Sequence, residues 1–148
     1  MKRILFKEEF CMGCGLCEVH CITQHSTSKD IIKAYMREKP KQLSRIKVNI
    51  NRPFSFAVQC RHCEDAPCVT ACLSGAMHRD EETGLIVHDI EKCRGCWTCI
   101  MVCPFGAIKM DTYKRRVVAK CDFCAGLNIP ACVANCPNEA LVYQEVAQ

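Results

Sequence analysis

A chain of 148 residues with a formal charge of +4 is one domain's worth of polypeptide, or two very small ones. Its 16 cysteines are as dense as in short secreted disulfide scaffolds, yet the basic start Met1-Lys-Arg-Ile-Leu-Phe-Lys lacks the apolar core and small-residue cleavage site of an export signal. No apolar run approaches the ~18 residues of a membrane span, one Trp and three Tyr argue against nucleic-acid binding, and the expectation is a soluble cytoplasmic protein whose reduced cysteines hold metal.

In chain order, the first cysteines are Cys11, Cys14, Cys17 and Cys21, with a short helix expected over residues 18–24. Residues 22–55 follow, carrying Lys29, Lys33, Arg37, Lys39, Lys41, Arg45, Lys47 and Arg52 against only Asp30 and Glu38. Ile31, Ile32, Ala34, Tyr35 and Met36 give residues 28–38 a weak helical pattern, and residues 45–50 alternate like a strand. This segment reads either as a solvated insertion or as a basic docking surface for a partner subunit. Cys60, Cys63, Cys68 and Cys72 come next, with a helix over 69–73, and then a hairpin over 77–88 that turns at Glu82-Thr-Gly84. Cys93, Cys96, Cys99 and Cys103 carry a helix over 100–102. A second hairpin is expected over 108–119, turning at Thr112-Tyr-Lys114 and returning through Val117, Val118 and Ala119. Cys121, Cys124, Cys132 and Cys136 close the series, with a helix over 133–135.

Every quartet opens C-x-x-C and closes C-x-x-x-C, and only the middle gap changes, from two residues to four to seven. The repeat extends past the cysteines: Leu73-Ser-Gly-Ala-Met77, Pro104-Phe-Gly-Ala-Ile108 and Pro137-Asn-Glu-Ala-Leu141 each end in Ala and a large apolar residue. Such spacing is that of cubane iron–sulfur ligation, in which the last cysteine of a quartet can serve a neighbouring cluster. Gly13 and Gly95, each directly before a second cysteine, supply the freedom a tight wrapping loop needs. Structural zinc sites usually come as two separated C-x-x-C pairs, which no quartet is, and a three-iron cluster would want a missing cysteine. Four [4Fe–4S] clusters are therefore expected. Each oxidised core with four thiolates carries about 2−, so loading would move the chain from +4 to about −4.

Other chemistry is thin. His62, inside the second C-x-x-C, is expected to donate to its cluster or to lie on the surface, while His20, His25, His78 and His88 form no ligand spacing. Trp97 is expected to pack over a cluster. There is no G-x-G-x-x-G, P-loop or nucleophile motif, so no catalytic residue is expected and electrons would enter and leave through partners.

The four quartets, with Cys60-Arg-His-Cys63 and Ala66-Pro-Cys68, resemble the 16-cysteine electron-transfer subunits built from two bacterial-ferredoxin-like modules. Cys17-Glu-Val-His-Cys21, His25-Ser-Thr-Ser-Lys-Asp-Ile-Ile-Lys33 and Cys72-Leu-Ser-Gly-Ala-Met-His-Arg79 are most similar to the iron–sulfur protein that accompanies nickel carbon monoxide dehydrogenase. The resemblance implies an α+β fold of two pseudo-symmetric modules with two clusters each: residues 1–21 with 120–148, and residues 56–119, separated by the basic segment 22–55. It further implies nested ligation. Cys11, Cys14, Cys17 and Cys136 would hold one cluster, and Cys21, Cys121, Cys124 and Cys132 its neighbour; Cys60, Cys63, Cys68 and Cys103 would hold a third, and Cys72, Cys93, Cys96 and Cys99 the fourth. Spacing alone allows adjacent quartets to pair equally well. The implied function is an electron relay from carbon monoxide dehydrogenase to a hydrogenase or flavin oxidoreductase; the alternative is the same relay in a formate dehydrogenase, hydrogenase, or tungsten or molybdenum oxidoreductase complex.

Overall fold

The computed structural model describes residues 2–111 and 119–146. Within them the chain is a small α+β protein of three two-stranded antiparallel sheets, five short α-helices and one 3-10 turn. The first sheet joins the two ends of the chain, strand β1 (Lys2–Phe6) pairing with β6 (Leu141–Glu145). The second is the hairpin of β2 (Ile46–Asn51) and β3 (Phe54–Gln59). The third, β4 (Met77–Arg79) with β5 (Ile86–His88), is the hairpin expected around Glu82-Thr-Gly84. Of the other expected hairpin the described part is one bridge, Lys109 to Ala119; its turn and Val117 and Val118 lie outside the described residues.

The helices start earlier than the cysteine pattern suggests, because local backbone geometry sets their first turns. Helix α1 (Leu16–His25) begins at Gly15, whose φ of 74° reverses the chain out of the preceding loop. Ser26 ends it by donating its hydroxyl to Thr23 O at 2.6 Å. In α2 (Ile31–Met36) the Asp30 side chain accepts from Lys33 N–H at 2.9 Å, a standard N-cap that satisfies an orphan amide. The other three helices have four residues each: α3 (Pro67–Thr70), started by a proline at its first position, α4 (Thr98–Met101) and α5 (Ala131–Ala134).

Helix α1 packs on α5, and α3 on α4. Two buried clusters follow this division. One gathers Ile4, Ile46, Ala57, Phe123 and Leu141 with Cys17, Cys21, Cys60, Cys121 and Cys132; the other gathers Ala66, Met77, Ile86 and Ile108 with Cys68. Sulfur is thus a large share of the core.

The basic segment is not a solvated insertion along its whole length. Ala34 and Ile46 are buried, and β3 runs through residue 55, the expected end of the segment. The Glu18 carboxylate on α1 accepts from Val48 N–H and fixes β2 against the first quartet's helix.

Candidate metal centre

Two cavities show how the quartets meet. One is lined by Cys11, Cys14 and Cys17 of the first quartet together with Cys136, the last cysteine of the fourth. The other is lined by Cys60, Cys63 and Cys68 together with Cys103, the last cysteine of the third. Both are otherwise lined mainly by apolar side chains, Phe6, Val48 and Leu141 in the first and Ala66, Ile86 and Ile108 in the second.

The mutual influence of the thiols extends the pattern. Burial pushes Cys17 up to about 12, and Cys14 and Cys136 add to the rise. Burial, then the neighbouring Cys121, Cys21 and Cys124, push Cys132 up. Cys68 is raised by burial and then by Cys60 and Cys103, and Cys99 goes up to about 11 through burial and then Cys68, Cys72 and Cys93. Thiols packed this closely resist ionising together unless a cation holds them, and an iron core supplies that positive charge. The donor chemistry therefore fits a cluster rather than a disulfide, and all 16 cysteines are free.

Amide and hydroxyl donors point at several sulfurs. Arg45 N–H lies 3.2 Å from Cys21 Sγ, Met77 N–H 3.4 Å from Cys72 Sγ, Gly95 N–H 3.4 Å from Cys93 Sγ, and the Thr98 hydroxyl 3.4 Å from Cys96 Sγ. Such contacts favour the thiolate form and tune cluster potential. Gly13 and Gly95 have φ of 71° and 70°, the left-handed conformation their loops need. Cys14 and Cys96 are exposed while the other cysteines are buried or half-buried.

His25, which cysteine spacing left without a role, belongs to this site. Its Nδ1 lies 2.8 Å from Cys21 O and 3.8 Å from Cys21 Sγ, and its Nε2 lies 3.1 Å from Asp122 Oδ1. Burial works against the charged ring, but the bonds to Asp122 and Cys21 win and raise it to about 9. Burial likewise opposes the Asp122 carboxylate, yet His25 and Arg45 hold it well below the usual range. Asp122 also accepts from Cys124 N–H at 3.0 Å. Ligating atoms of His25, Asp122 and Cys124 fall within 4.8 Å of one another, but with both ring nitrogens engaged this trio braces the sulfur cage. The i, i+4 spacing of Cys21 and His25 on one helix was the available signal.

His62 corrects one of its two expected placements. It is fully buried rather than on the surface, and its Nδ1 accepts from Ile86 N–H at 3.0 Å. Its ring lies 4.3 Å from that of Phe123, and burial, reinforced by Lys120, lowers it to about 3. No hydrogen bond from it to a cysteine sulfur is formed among the described residues. Trp97 caps α4 in the left-handed conformation and is 40% exposed.

A small α+β fold whose core is built from cysteine groups defines an iron–sulfur protein of the electron-transfer type. The chain belongs to the 4Fe-4S dicluster domain family, which it matches over residues 52–146. It is 36% identical to an iron–sulfur protein of Rhodospirillum rubrum, over 90% of this chain and 76% of that one. It is 35% identical to the thiosulfate reductase electron transfer subunit PhsB of Salmonella typhi, over 95% and 73%. AegA of Escherichia coli is 36% identical over 93% of this chain, which spans only 21% of that protein's length. Among solved structures, the BamBC active site complex of benzoyl coenzyme A reductase has a chain that superposes with a TM-score of 0.51 at 21% identity, over 97% of this chain and 76% of that one, a likeness of fold. No helix among the described residues is long and apolar enough to cross a membrane.

Proposed function

We propose that this chain is an electron relay of four [4Fe–4S] clusters in two nested ferredoxin-like modules, one from residues 1–21 with 120–148 and one from 56–119. The clusters are held by Cys11, Cys14, Cys17 and Cys136; by Cys21, Cys121, Cys124 and Cys132; by Cys60, Cys63, Cys68 and Cys103; and by Cys72, Cys93, Cys96 and Cys99. The observation that carries this reading is the pair of cavities, each lined by three cysteines of one quartet and the last cysteine of its nested partner. Adjacent pairing of quartets has no such support.

The same neighbours suggest an order. Cys17 acts on Cys132, Cys60 on Cys121, and Cys68 on Cys99, linking the four sets in one series. The exposed Cys14 and Cys96 fall in the first and last sets, so electrons enter at one end and leave at the other. Iron analysis after anaerobic loading tests the cluster count: about sixteen iron atoms per chain is expected, and well under that number overturns it.

The donor is proposed to be nickel carbon monoxide dehydrogenase, and the acceptor a hydrogenase or flavin oxidoreductase in the cytoplasm. The resemblance of residues 17–21, 25–33 and 72–79 supports that donor. A second reading is the same relay in a formate dehydrogenase, hydrogenase, or tungsten or molybdenum oxidoreductase complex, and the identity with the electron transfer subunit of a thiosulfate reductase supports an oxidoreductase partner of another kind than carbon monoxide dehydrogenase. Anaerobic affinity purification with identification of the co-purifying catalytic subunit decides between them. Recovery of a molybdenum or tungsten enzyme without carbon monoxide dehydrogenase defeats the first reading.

A further inference from the structure

Lys120 is the one buried Lys or Arg among the described residues, at 6% exposed. It immediately precedes Cys121, yet its Nζ reaches across to the β4–β5 hairpin and donates to Ile86 O, with a second bond to Cys121 O at 3.1 Å. On the other face of the same residue, Ile86 N–H donates to His62 Nδ1. Ile86 is thus gripped from both sides, by a residue of the second quartet's loop and by one of the fourth's.

Two carbonyls are poor company for a buried ammonium, since removing an unpaired charge from water is costly. No carboxylate forms an ion pair with Lys120 among the described residues; the nearby Asp122 is taken by His25 and Arg45. The carbonyl that holds the ammonium belongs to Ile86, which itself lines the cavity of Cys60, Cys63, Cys68 and Cys103. The ammonium acts on Cys60, whose ionised form it favours against burial, and on Cys68.

We propose that Lys120 is a positioned cation that raises the reduction potential of the cluster held by Cys60, Cys63, Cys68 and Cys103, making it the preferred resting place of an electron at the crossing between the two modules. A fixed positive charge stabilises the more anionic, reduced state of a cluster, and net charge and hydrogen bonding to sulfur are the protein's means of setting its potential. The inference rests on the four-cluster reading. It assigns Lys120 a role distinct from cysteine ligation, and gives the hairpin the task of holding the ammonium in place through the Ile86 carbonyl.

The test is a redox titration of the loaded full-length chain followed by electron paramagnetic resonance, with iron analysis alongside, for the parent and for Lys120→Gln, Lys120→Met and Lys120→Arg. In Lys120→Gln, which keeps a donor for Ile86 O, iron should be unchanged. One couple of the four should move down, its reduced-to-oxidised ratio at fixed potential falling at least about tenfold, or about 59 mV for one electron. Lys120→Arg should leave that ratio within about threefold of the parent, by the same conversion. Four couples that all stay in place in Lys120→Gln, or a couple moved equally by Gln and Arg, would overturn the tuning role and leave the four-cluster reading intact. So would failure of both neutral variants to take up iron, which would make the lysine a structural clamp. Fewer than four reducible couples in the fully loaded parent would overturn both readings.

Discussion

His25 and Asp122 stand 97 positions apart in the chain, and their side chains meet with Nε2 3.1 Å from Oδ1. The contact ties α1, which carries Cys17 and Cys21, to the loop that carries Cys121 and Cys124. It also seats the imidazole against Cys21, so a single ring steadies sulfurs from both ends of the sequence. Replacing His25 by Ala leaves Asp122 with Arg45 as its charged partner. Because Asp122 is 38% exposed, solvent screens part of the loss. The expected cost is about 1 kcal/mol, since that screening takes it below the roughly 1.5–3 kcal/mol of a hydrogen bond to a charged group. Anaerobic thermal melting of the loaded protein should show a lower midpoint, and an unchanged midpoint would mean the contact contributes nothing.

Nested ligation, as proposed, would make pairs of distant cysteines equivalent. Cys14→Ser and Cys136→Ser should erase the same spectroscopic component and lower iron by up to about four atoms each, one cubane's worth. Cys21→Ser and Cys132→Ser should erase a second component together. If instead Cys136→Ser matched Cys99→Ser, as adjacent pairing of quartets three and four would allow, the assignment would be wrong.

What the sequence made legible was whatever depends on short spacing. The quartets, the glycines of the wrapping loops and the hairpin at Glu82-Thr-Gly84 are local patterns, and the structure places the last two where the spacing does. Strand β3 was hidden because its alternation is inverted. Ser55, Ala57 and Gln59 face inward, where Ser55 donates to Cys11 O and Gln59 to Ile4 O, while Phe54 and Phe56 are 69% and 41% exposed. A rule that turns aromatics to the core picks the wrong face. The pairing of β1 with β6 and the reach of Lys120 to Ile86 are long-range and leave no spacing to read. The burial of His62 was hidden for another reason: polar Arg61 and Glu64 stand close to it in sequence, yet its own ring lies against Phe123.

Gly13 and Gly15 allow a controlled comparison of strain and space. Both have positive φ, 71° and 74°, so an alanine at either position pays the left-handed penalty of about 1–2 kcal/mol. At Gly15 nothing lies within 4 Å of the added methyl, whereas at Gly13 it would meet Ser55 Oγ at 3.1 Å and Ile50 at 3.3 Å. Crowding there presses the first cysteine loop away from the β2–β3 hairpin. Gly13→Ala should therefore lose more stability in denaturant unfolding than Gly15→Ala, and should lose iron faster from the first set. Equal losses would show that the hairpin yields freely and does not shape the loop.

Removing the iron should remove the fold. Helices α3, α4 and α5 have four residues each, far below the length at which a helix persists alone, and each carries a cysteine. Five of the eleven buried residues in the larger core cluster are cysteines, so demetallation strips the cross-links from the core itself. The freed thiols would sit together in a medium that burial has made hostile to charge, with Cys121 already pushed up to about 12. A structural metal site binds with the free energy that folding needs, and chelation then unfolds the chain. Treatment with an iron chelator under anaerobic conditions should abolish the helical circular dichroism and the cooperative melt, and iron with sulfide should restore both. A demetallated chain that kept a sharp melting transition would show that the polypeptide core is sufficient without its clusters.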